Sequence, residues 1–95
     1  MEFEFDEKKS RINAEKHGID FEQAQFLWCD ARRVVVETRS ETEPLFALIG
    51  LLGGKIWTAI YTMREDRIRM ISVRRSRDGE KEGYHNSEGA RSSVR

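Results

Sequence analysis

The chain has 95 residues, and its 17 basic and 17 acidic residues give a formal net charge of zero at pH 7. This length predicts one domain with a thin hydrophobic core. The single cysteine, Cys29, excludes an internal disulfide, and no signal peptide or long apolar run opens the chain, so we expect a cytoplasmic protein without a membrane segment. One cysteine and two histidines without ligand spacing predict no metal site and no cofactor.

The N-terminal part of the chain predicts a short strand and two helices. Phenylalanine and acidic residues alternate over residues 2–5, as they do in a strand. Asp6 is a favoured N-cap for a helix that ends at His17, just before a glycine. A capping-box pattern at residues 20–23 predicts a second helix that ends near residues 28–30.

Four strands are predicted next, because β-branched and aromatic residues recur in runs. The runs cover residues 33–38, 45–52, 56–63 and 68–73. They are connected by a polar loop over residues 39–44, the pair Gly53-Gly54 and a polar turn over residues 64–67. Such short connections place consecutive strands side by side in an antiparallel meander.

A C-terminal helix is expected from Arg74 to about Asn86, followed by a polar tail over residues 87–95. The predicted fold is therefore α+β, with two N-terminal helices, a four-stranded antiparallel meander and a C-terminal helix. Residues 1–86 form its single domain.

Positive charge is concentrated in one segment of this balanced chain. Residues 64–77 hold six arginines and two acids, a net charge of +4, whereas residues 1–30 have a net charge of −4. The arginines are Arg64, Arg67, Arg69, Arg74, Arg75 and Arg77. Guanidinium groups present planar sets of donors that suit phosphate, which makes this hairpin a candidate polyanion site. The arginines could equally border and solubilise an exposed sheet face.

Side-chain alternation predicts which of these residues share a face of the sheet. On the first strand of the hairpin, Tyr61 shares its face with Trp57. On the second strand, one face contains Arg67, Arg69, Ile71 and Val73.

Cleavage of RNA without a metal ion requires a base for the 2′-hydroxyl, positive charge near the phosphorane and an acid for the 5′-oxygen. The candidates for the charge are Arg64, Arg69, Arg74 and Arg75. Tyr61 and His17 are candidates for proton transfer, and a helix C-terminus favours the imidazolium form of His17. Both also have ordinary structural interpretations, His17 as a helix cap and Tyr61 as a sheet aromatic.

Two motif blocks lie within residues 3–84. The first matches F-x-x-D-x-x-K followed by N-x-x-K-H-G-[IV]-x-F-x-x-A, at Phe3, Asp6, Lys9, Asn13, Lys16, His17, Gly18, Ile19, Phe21 and Ala24. The second resembles Y-T-x-R-x-x-x-I-R-I-I-S-A-R-R-A and matches it at Tyr61, Thr62, Arg64, Ile68, Arg69, Ile71, Ser72, Arg74 and Arg75, whereas Met70 and Val73 depart from it. With these two blocks the sequence resembles the BrnT family of toxins. The segment E-K-E-G-Y-H, residues 80–85, departs from the family pattern.

The resemblance implies a RelE-like ribonuclease fold and the function of a type II toxin, which stops translation by cleaving RNA. It also implies a partner, an antitoxin of the ribbon-helix-helix class like BrnA, which binds this chain and blocks its toxicity. The two proteins are expected to form a heterotetramer. The toxin is expected to reach operator DNA only through this antitoxin.

The resemblance and the arginine pattern together predict the site residues. The predicted catalytic residues are Arg64, Arg69, Tyr61 and His17. The predicted RNA phosphate ligands are Lys8, Lys16, Arg74, Arg75 and Arg77. One alternative stays open, a non-catalytic module whose basic face binds RNA or an acidic protein.

Overall fold

The computed structural model describes residues 2–38 and 42–93 and shows one β-sheet with helices packed against it. In chain order its elements are β1 Glu2–Glu4, α1 Glu7–His17, α2 Phe21–Ala24, a 3₁₀ helix Gln25–Cys29, β2 Val34–Thr38, β3 Leu45–Leu52, β4 Lys55–Arg64, β5 Arg67–Arg75 and α3 Asp78–Ser93. The fold class is thus α+β, as predicted. Residues 39–41 of the predicted loop and 94–95 of the predicted tail lie outside the described residues. Within the described ranges, no helix combines the length and the apolar character needed to cross a membrane.

Five strands form one mixed sheet in the order β1-β5-β4-β3-β2. The strands β2 to β5 form the antiparallel meander that the sequence predicts. The prediction of a four-stranded sheet is wrong, because β1 pairs in parallel with β5 and places Glu4 opposite Arg69. Phe3 packs edge-to-face on Trp28, with the ring centroids 5.1 Å apart. This contact anchors a strand that is too short to be stable alone.

The helix α1 has the ends that its sequence predicts. The Asp6 carboxylate accepts hydrogen bonds from two backbone N–H groups of the first turn, at 2.8 and 3.2 Å. Gly18 ends the helix with φ at 80°, a conformation that glycine adopts without the steric cost of a Cβ atom. Between these ends, the Asn13 amide donates to Val73 O at 2.9 Å and accepts from Val73 N at 3.1 Å. Asn13 thus covers the edge of β5 beyond the point where β1 stops.

The second helix is shorter than predicted. Its capping box is present, since the Asp20 carboxylate accepts from Gln23 N at 2.7 Å and the Gln23 side chain accepts from Asp20 N at 3.2 Å. The α-helical part nevertheless stops after Ala24, and the chain continues as a 3₁₀ helix to Cys29. This tighter helix buries Leu27 completely against the sheet.

The helix α3 begins at Asp78 rather than at Arg74, because β5 extends to Arg75. It also reaches Ser93, beyond the predicted end at Asn86. The two glycines in this segment, which weaken a helix by roughly 1 kcal/mol each, do not end it.

Tyr84 holds α3 on the sheet. Its ring packs with Ile49 and Ile56 in a small second core, and its hydroxyl donates a hydrogen bond to Asp30 Oδ2 at 2.7 Å. The same oxygen accepts from Leu51 N at 2.8 Å. Burial raises the pKa of Asp30, but the hydrogen bonds from Leu51 N, from Tyr84 and from a neighbouring backbone N–H lower it overall. The ionised Asp30 therefore links α3 to β3.

The two faces of the sheet differ. The inner face packs on α2 and the 3₁₀ helix and contains the main core. The largest fully buried side chains of this core are Phe21, Leu27, Leu48, Ile68 and Val73. The opposite, outer face is covered by α3 near Ile49 and Ile56, whereas the β4–β5 turn at its far end is exposed.

A bulge in β5 decides which arginines share a face. The pairing of β4 with β5 shifts by one residue opposite Ile60 and Tyr61, which leaves Ile71 without a cross-strand partner. Such an extra residue reverses the alternation of side chains beyond it. The prediction that Arg69 and Val73 share a face is therefore wrong, since Val73 is fully buried in the inner core while Arg69 lies on the outer face.

Candidate functional site

Three arginines converge on the outer face, at the end of the sheet that contains the β4–β5 turn. Arg64 pairs with Arg67 across the hairpin and Arg69 pairs with Thr62, so all three arginine side chains point to the same side. In the order Arg64, Arg67, Arg69, these side chains are 61%, 55% and 36% exposed. We refer to Arg64, Arg67 and Arg69 as the arginine cluster.

All three guanidinium groups reach the carboxylate of Glu4, which β1 brings to this position. Arg69 Nη1 donates a hydrogen bond to Glu4 Oε2 at 2.9 Å. Arg64 Nη1 lies 3.6 Å from Oε2, and Arg67 Nη1 lies 3.6 Å from Oε1. The hydrogen bond from Arg69 is the main reason why the pKa of Glu4 is lowered; desolvation opposes it, and the charges of the three arginines reinforce it. Glu4 is therefore ionised at neutral pH.

Acidic side chains offset much of the positive charge that the sequence concentrates here. Glu2 Oε1 lies 3.3 Å from Arg67 Nε. A depression of about 390 Å³ beside the cluster is lined by Glu2, Glu65, Asp66 and Arg67. The cluster thus offers directional hydrogen-bond donors rather than a strong positive field. Because these carboxylates lie on the side of Arg67, an anion is repelled less on the side of Arg64 and Arg69.

Arg74 lies on the same face, but it belongs to a closed ion pair. Its Nη1 and Nη2 atoms donate to Glu80 Oε1 and Oε2, both at 2.8 Å. Glu80 Oε1 also accepts from Thr58 Oγ1 at 3.0 Å and from Arg77 N at 2.8 Å. The hydrogen bonds from Arg74, reinforced by those from Arg77 N and Thr58, lower the pKa of Glu80 to about 2, although partial burial opposes the shift. This pair fastens the first turn of α3 to β4 and β5, and it occupies the planar donor edge of Arg74.

Most of the other predicted ligands lie toward the far end of β5. Arg75 points to the inner face, where its guanidinium carbon is 5.6 Å from the centroid of the Trp57 ring. Lys16 and His17 are exposed at the C-terminal end of α1, one turn beyond the contact of this helix with the edge of β5. At about 3.3 Å per residue, the end of β5 is roughly 20 Å along the strand from Arg69. The structure therefore does not bring Lys16, His17 or Arg75 to the arginine cluster.

The last two predicted phosphate ligands, Lys8 and Arg77, lie in different parts of the molecule. Lys8 is exposed in the first turn of α1, at the same end of the molecule as the cluster. The hydrogen bond from Lys9 N, followed by that from Lys8 N, is the main cause of the lowered pKa of Asp6, and the charge of Arg69 adds a weaker effect. Arg77 is exposed between β5 and α3, where its backbone N–H binds Glu80.

Tyr61 lies on the inner face, on the other side of the sheet from the arginine cluster. Its ring centroid is 5.1 Å from that of Trp28 and 5.4 Å from that of Phe46, and the residue is only 6% exposed. Burial raises the pKa of Tyr61, and the charge of Arg33 offsets this only in part. The structure therefore does not bring Tyr61 to the arginine cluster, because this ring fills the aromatic part of the core.

The predicted site residues include neither Arg67, which appears only among the arginines of the hairpin, nor Glu4, which contacts all three arginines of the cluster. The alternation of phenylalanine and glutamate over residues 2–5 indicates a strand, but it contains no information about the partner of that strand. Only the parallel pairing with β5 brings the Glu4 carboxylate to the arginines.

Within residues 2–38 and 42–93, no group of three or more His, Cys, Asp or Glu side chains is arranged to hold a metal ion. A search of curated proteins found no match. A family model described as the ribonuclease toxin BrnT of a type II toxin–antitoxin system matches residues 5–80, which include Arg64, Arg67 and Arg69. The chain therefore belongs to the BrnT family of ribonuclease toxins, whose members act on RNA and have an antitoxin as partner.

Proposed function

We propose that this toxin is an endoribonuclease that cleaves RNA without a metal ion, and that the arginine cluster holds the phosphate at which the chain is cut. The observation that supports this site is the convergence of three exposed guanidinium groups on one carboxylate, at 2.9 to 3.6 Å. A carboxylate and a phosphate present similar oxygen acceptors, and guanidinium groups bind both.

The distances within the cluster show that Arg64 and Arg67 have hydrogen-bond donors available for a substrate. Arg64 and Arg67 reach Glu4 only at 3.6 Å, which is longer than an N–H···O hydrogen bond. Exposed ion pairs of this kind contribute little to stability, so both side chains can turn toward a phosphate at small cost. Arg69 is the better fixed member, because it is the least exposed of the three and is hydrogen-bonded to Glu4.

The proposed role of the arginine cluster in the reaction is to stabilise the phosphorane. The ribose 2′-oxygen attacks the adjacent phosphorus atom and the bond from phosphorus to the 5′-oxygen breaks, which leaves a 2′,3′-cyclic phosphate and a 5′-hydroxyl group. Negative charge grows on the non-bridging oxygens during this step, and positioned guanidinium groups stabilise it. Each well-placed donor of this kind contributes roughly 10²- to 10³-fold to the rate.

The partner is proposed to be a BrnA-like antitoxin of the ribbon-helix-helix class, which forms a heterotetramer with the toxin in the cytoplasm and alone provides the contact with operator DNA. Support for this part comes from the resemblance of the two motif blocks to the BrnT family. Co-expression of the toxin with a neighbouring small reading frame, followed by mass measurement of the purified complex, tests the partner and the stoichiometry.

The nuclease proposal is tested with purified toxin and a defined RNA in the presence of EDTA. We expect cleavage to persist in EDTA and to produce cyclic phosphate ends. Arg64→Ala should reduce cleavage by about 10²-fold, whereas Arg11→Ala, a matched loss of an exposed arginine on α1, should leave it unchanged. Cleavage that disappears in EDTA and returns with a divalent metal would refute metal independence. Binding of RNA without any cleavage would support the non-catalytic module.

A further inference from the structure

The proposed reaction needs a group that removes the proton of the 2′-hydroxyl, and the two candidates that the sequence suggests lie elsewhere. Tyr61 is buried on the inner face. His17 lies at the C-terminal end of α1, one turn beyond Asn13, which contacts Val73 toward the far end of β5. Among the carboxylates near the arginine cluster, that of Glu4 contacts all three guanidinium groups and is therefore placed to accept a proton from a ribose bound there.

We propose that Glu4 is the general base of the reaction, a role that rests on the proposed nuclease function of the arginine cluster. A carboxylate oxygen of Glu4 takes the proton from the 2′-hydroxyl as the 2′-oxygen forms its bond to phosphorus. The bond between phosphorus and the 5′-oxygen breaks, and the 5′-oxygen takes a proton from a water molecule. The hydroxide formed in this way removes the proton from the Glu4 carboxyl group, so that the carboxylate is restored and the protons balance.

The contacts of the two carboxylate oxygens support this division of tasks. Oε2 accepts the hydrogen bond from Arg69 at 2.9 Å, which holds the carboxylate in place. Oε1 has the longer 3.6 Å contact with Arg67, so it remains able to accept a hydrogen bond from a ribose hydroxyl. A phosphate held by Arg64 and Arg67 would lie directly beside this oxygen, as a base next to the attacked phosphorus requires.

The charges of the cluster also suit a base. The arginines and the Arg69 hydrogen bond lower the pKa of Glu4, so the carboxylate is ionised in the free protein. A phosphate that binds to Arg64 and Arg67 neutralises part of their charge, which raises the proton affinity of Glu4 when substrate is present. The base is therefore ready in the free toxin and becomes stronger in the complex.

A different role would give the opposite result on mutation. If Glu4 only fills the place of a phosphate until RNA arrives, its removal frees three guanidinium groups, and both RNA binding and cleavage increase. If Glu4 is the base, its removal increases or preserves binding but prevents the proton transfer. The two roles are therefore separated by the sign of the change in cleavage.

The test compares Glu4→Gln with Glu2→Gln in EDTA, at a range of pH values. Both substitutions remove one charge from β1, and both residues contact Arg67, but only Glu4 contacts Arg64 and Arg69. We expect Glu4→Gln to lower the rate of cleavage by about 10²- to 10⁴-fold, the usual contribution of a general base, with RNA binding retained and the acidic limb of the pH–rate profile lost. Glu2→Gln should keep the pH–rate profile and should not lower the rate, because it removes only a carboxylate that offsets the charge of Arg67.

A third variant keeps the proposal testable if the amide disturbs the packing of β1. Cleavage by Glu4→Ala should be restored in part by added formate, which can enter the space left by the side chain and act as the base. If the wild type cleaves RNA and Glu4→Gln cleaves it as fast or faster, Glu4 is not the general base, but the nuclease proposal stands. The same conclusion follows if Glu4→Ala is folded and slow and formate does not restore its cleavage. Absence of cleavage by the wild type would overturn the nuclease proposal and this role with it.

Discussion

Two groups of arginine and glutamate lie on the outer face of the sheet, and they differ in how their charges are matched. In the arginine cluster, three guanidinium groups share the carboxylate of Glu4, and two of the three contacts are 3.6 Å long. In the second group, Arg74 and Glu80 match one to one at 2.8 Å, with side chains only 22% and 25% exposed. An excess of donors at an open surface leaves capacity for a ligand, whereas a matched and shielded pair holds elements of the fold together.

The largest loss of activity is expected when Arg69 is removed. We expect Arg69→Ala to lower RNA cleavage by roughly 10²-fold or more, because it removes a phosphate donor and releases the Glu4 carboxylate. Arg69→Lys should also be poor, because lysine keeps the charge but lacks the planar pair of donors. The measurement is the single-turnover rate in EDTA, with circular dichroism and antitoxin binding as controls for folding. Two folded variants with the wild-type rate would exclude Arg69 from the site.

Removal of Arg74 should affect stability instead of activity. Arg74→Ala leaves Glu80 without its bidentate partner, and we expect the free energy of unfolding to fall by about 2 kcal/mol, less than for a fully buried pair because water screens part of the interaction. The rate per folded molecule should stay within about threefold of the wild type, since surface changes away from a site have small effects. Urea denaturation measures the free energy of unfolding. Arg77→Ala, which removes only an exposed side chain, is the matched control.

The same pair predicts a dependence of stability on acid. The pKa of Glu80 is about 2 in the folded chain, against an ordinary value of 4.5. A lowered pKa in the folded state stabilises the protein above the ordinary value, and this contribution disappears as the pH falls from about 4.5 toward 2. Thermal unfolding of wild type and Glu80→Gln across this interval should show a smaller loss in the variant. Equal losses in the two proteins would show that other carboxylates dominate.

Removal of Arg75 tests whether an arginine that belongs to the motif but lies outside the cluster contributes to RNA cleavage. Its guanidinium group lies over Trp57 on the inner face, so we expect Arg75→Ala to lower the free energy of unfolding by about 0.5–1 kcal/mol, the usual value of an exposed cation–π contact. RNA binding should weaken only a few-fold, as for the loss of one distant positive charge. A loss of cleavage as large as that of Arg69→Ala would mean that the site extends to this end of β5.

The smallest effect is expected for Tyr61. Tyr61→Phe keeps the ring between Trp28 and Phe46 and removes only the hydroxyl group. We expect the rate of RNA cleavage to change by no more than about twofold, because the hydroxyl cannot reach the outer face across the sheet. A folded variant with a rate as low as that of Arg69→Ala would restore Tyr61 as a candidate for proton transfer and would contradict the separation of the two faces.

Patterns within short stretches of sequence predicted much of the fold. The capped ends of α1, the capping box at Asp20 and the order of β2 to β5 all depend on residues that are close in the chain. The same holds for the concentration of arginines in the hairpin, which is visible as composition alone. Caps, turns and alternation are local, so their physical causes are present in the sequence wherever the segment folds.

The candidate site required the tertiary structure. The bulge at Ile71 separates Arg69 from Val73, and the parallel pairing of β1 with β5 brings Glu4 to the arginines. A closed pair removes Arg74 from the exposed donors. The bulge is a one-residue change of register, and the pairing of β1 with β5 joins residues that are distant in the chain. Arg74 and Glu80 are only six residues apart, but their pair forms between the sheet and α3. None of these outcomes changes the local pattern of the sequence. Composition therefore indicates that arginines gather in one hairpin, but the packing of distant elements decides which of them remain available to a phosphate.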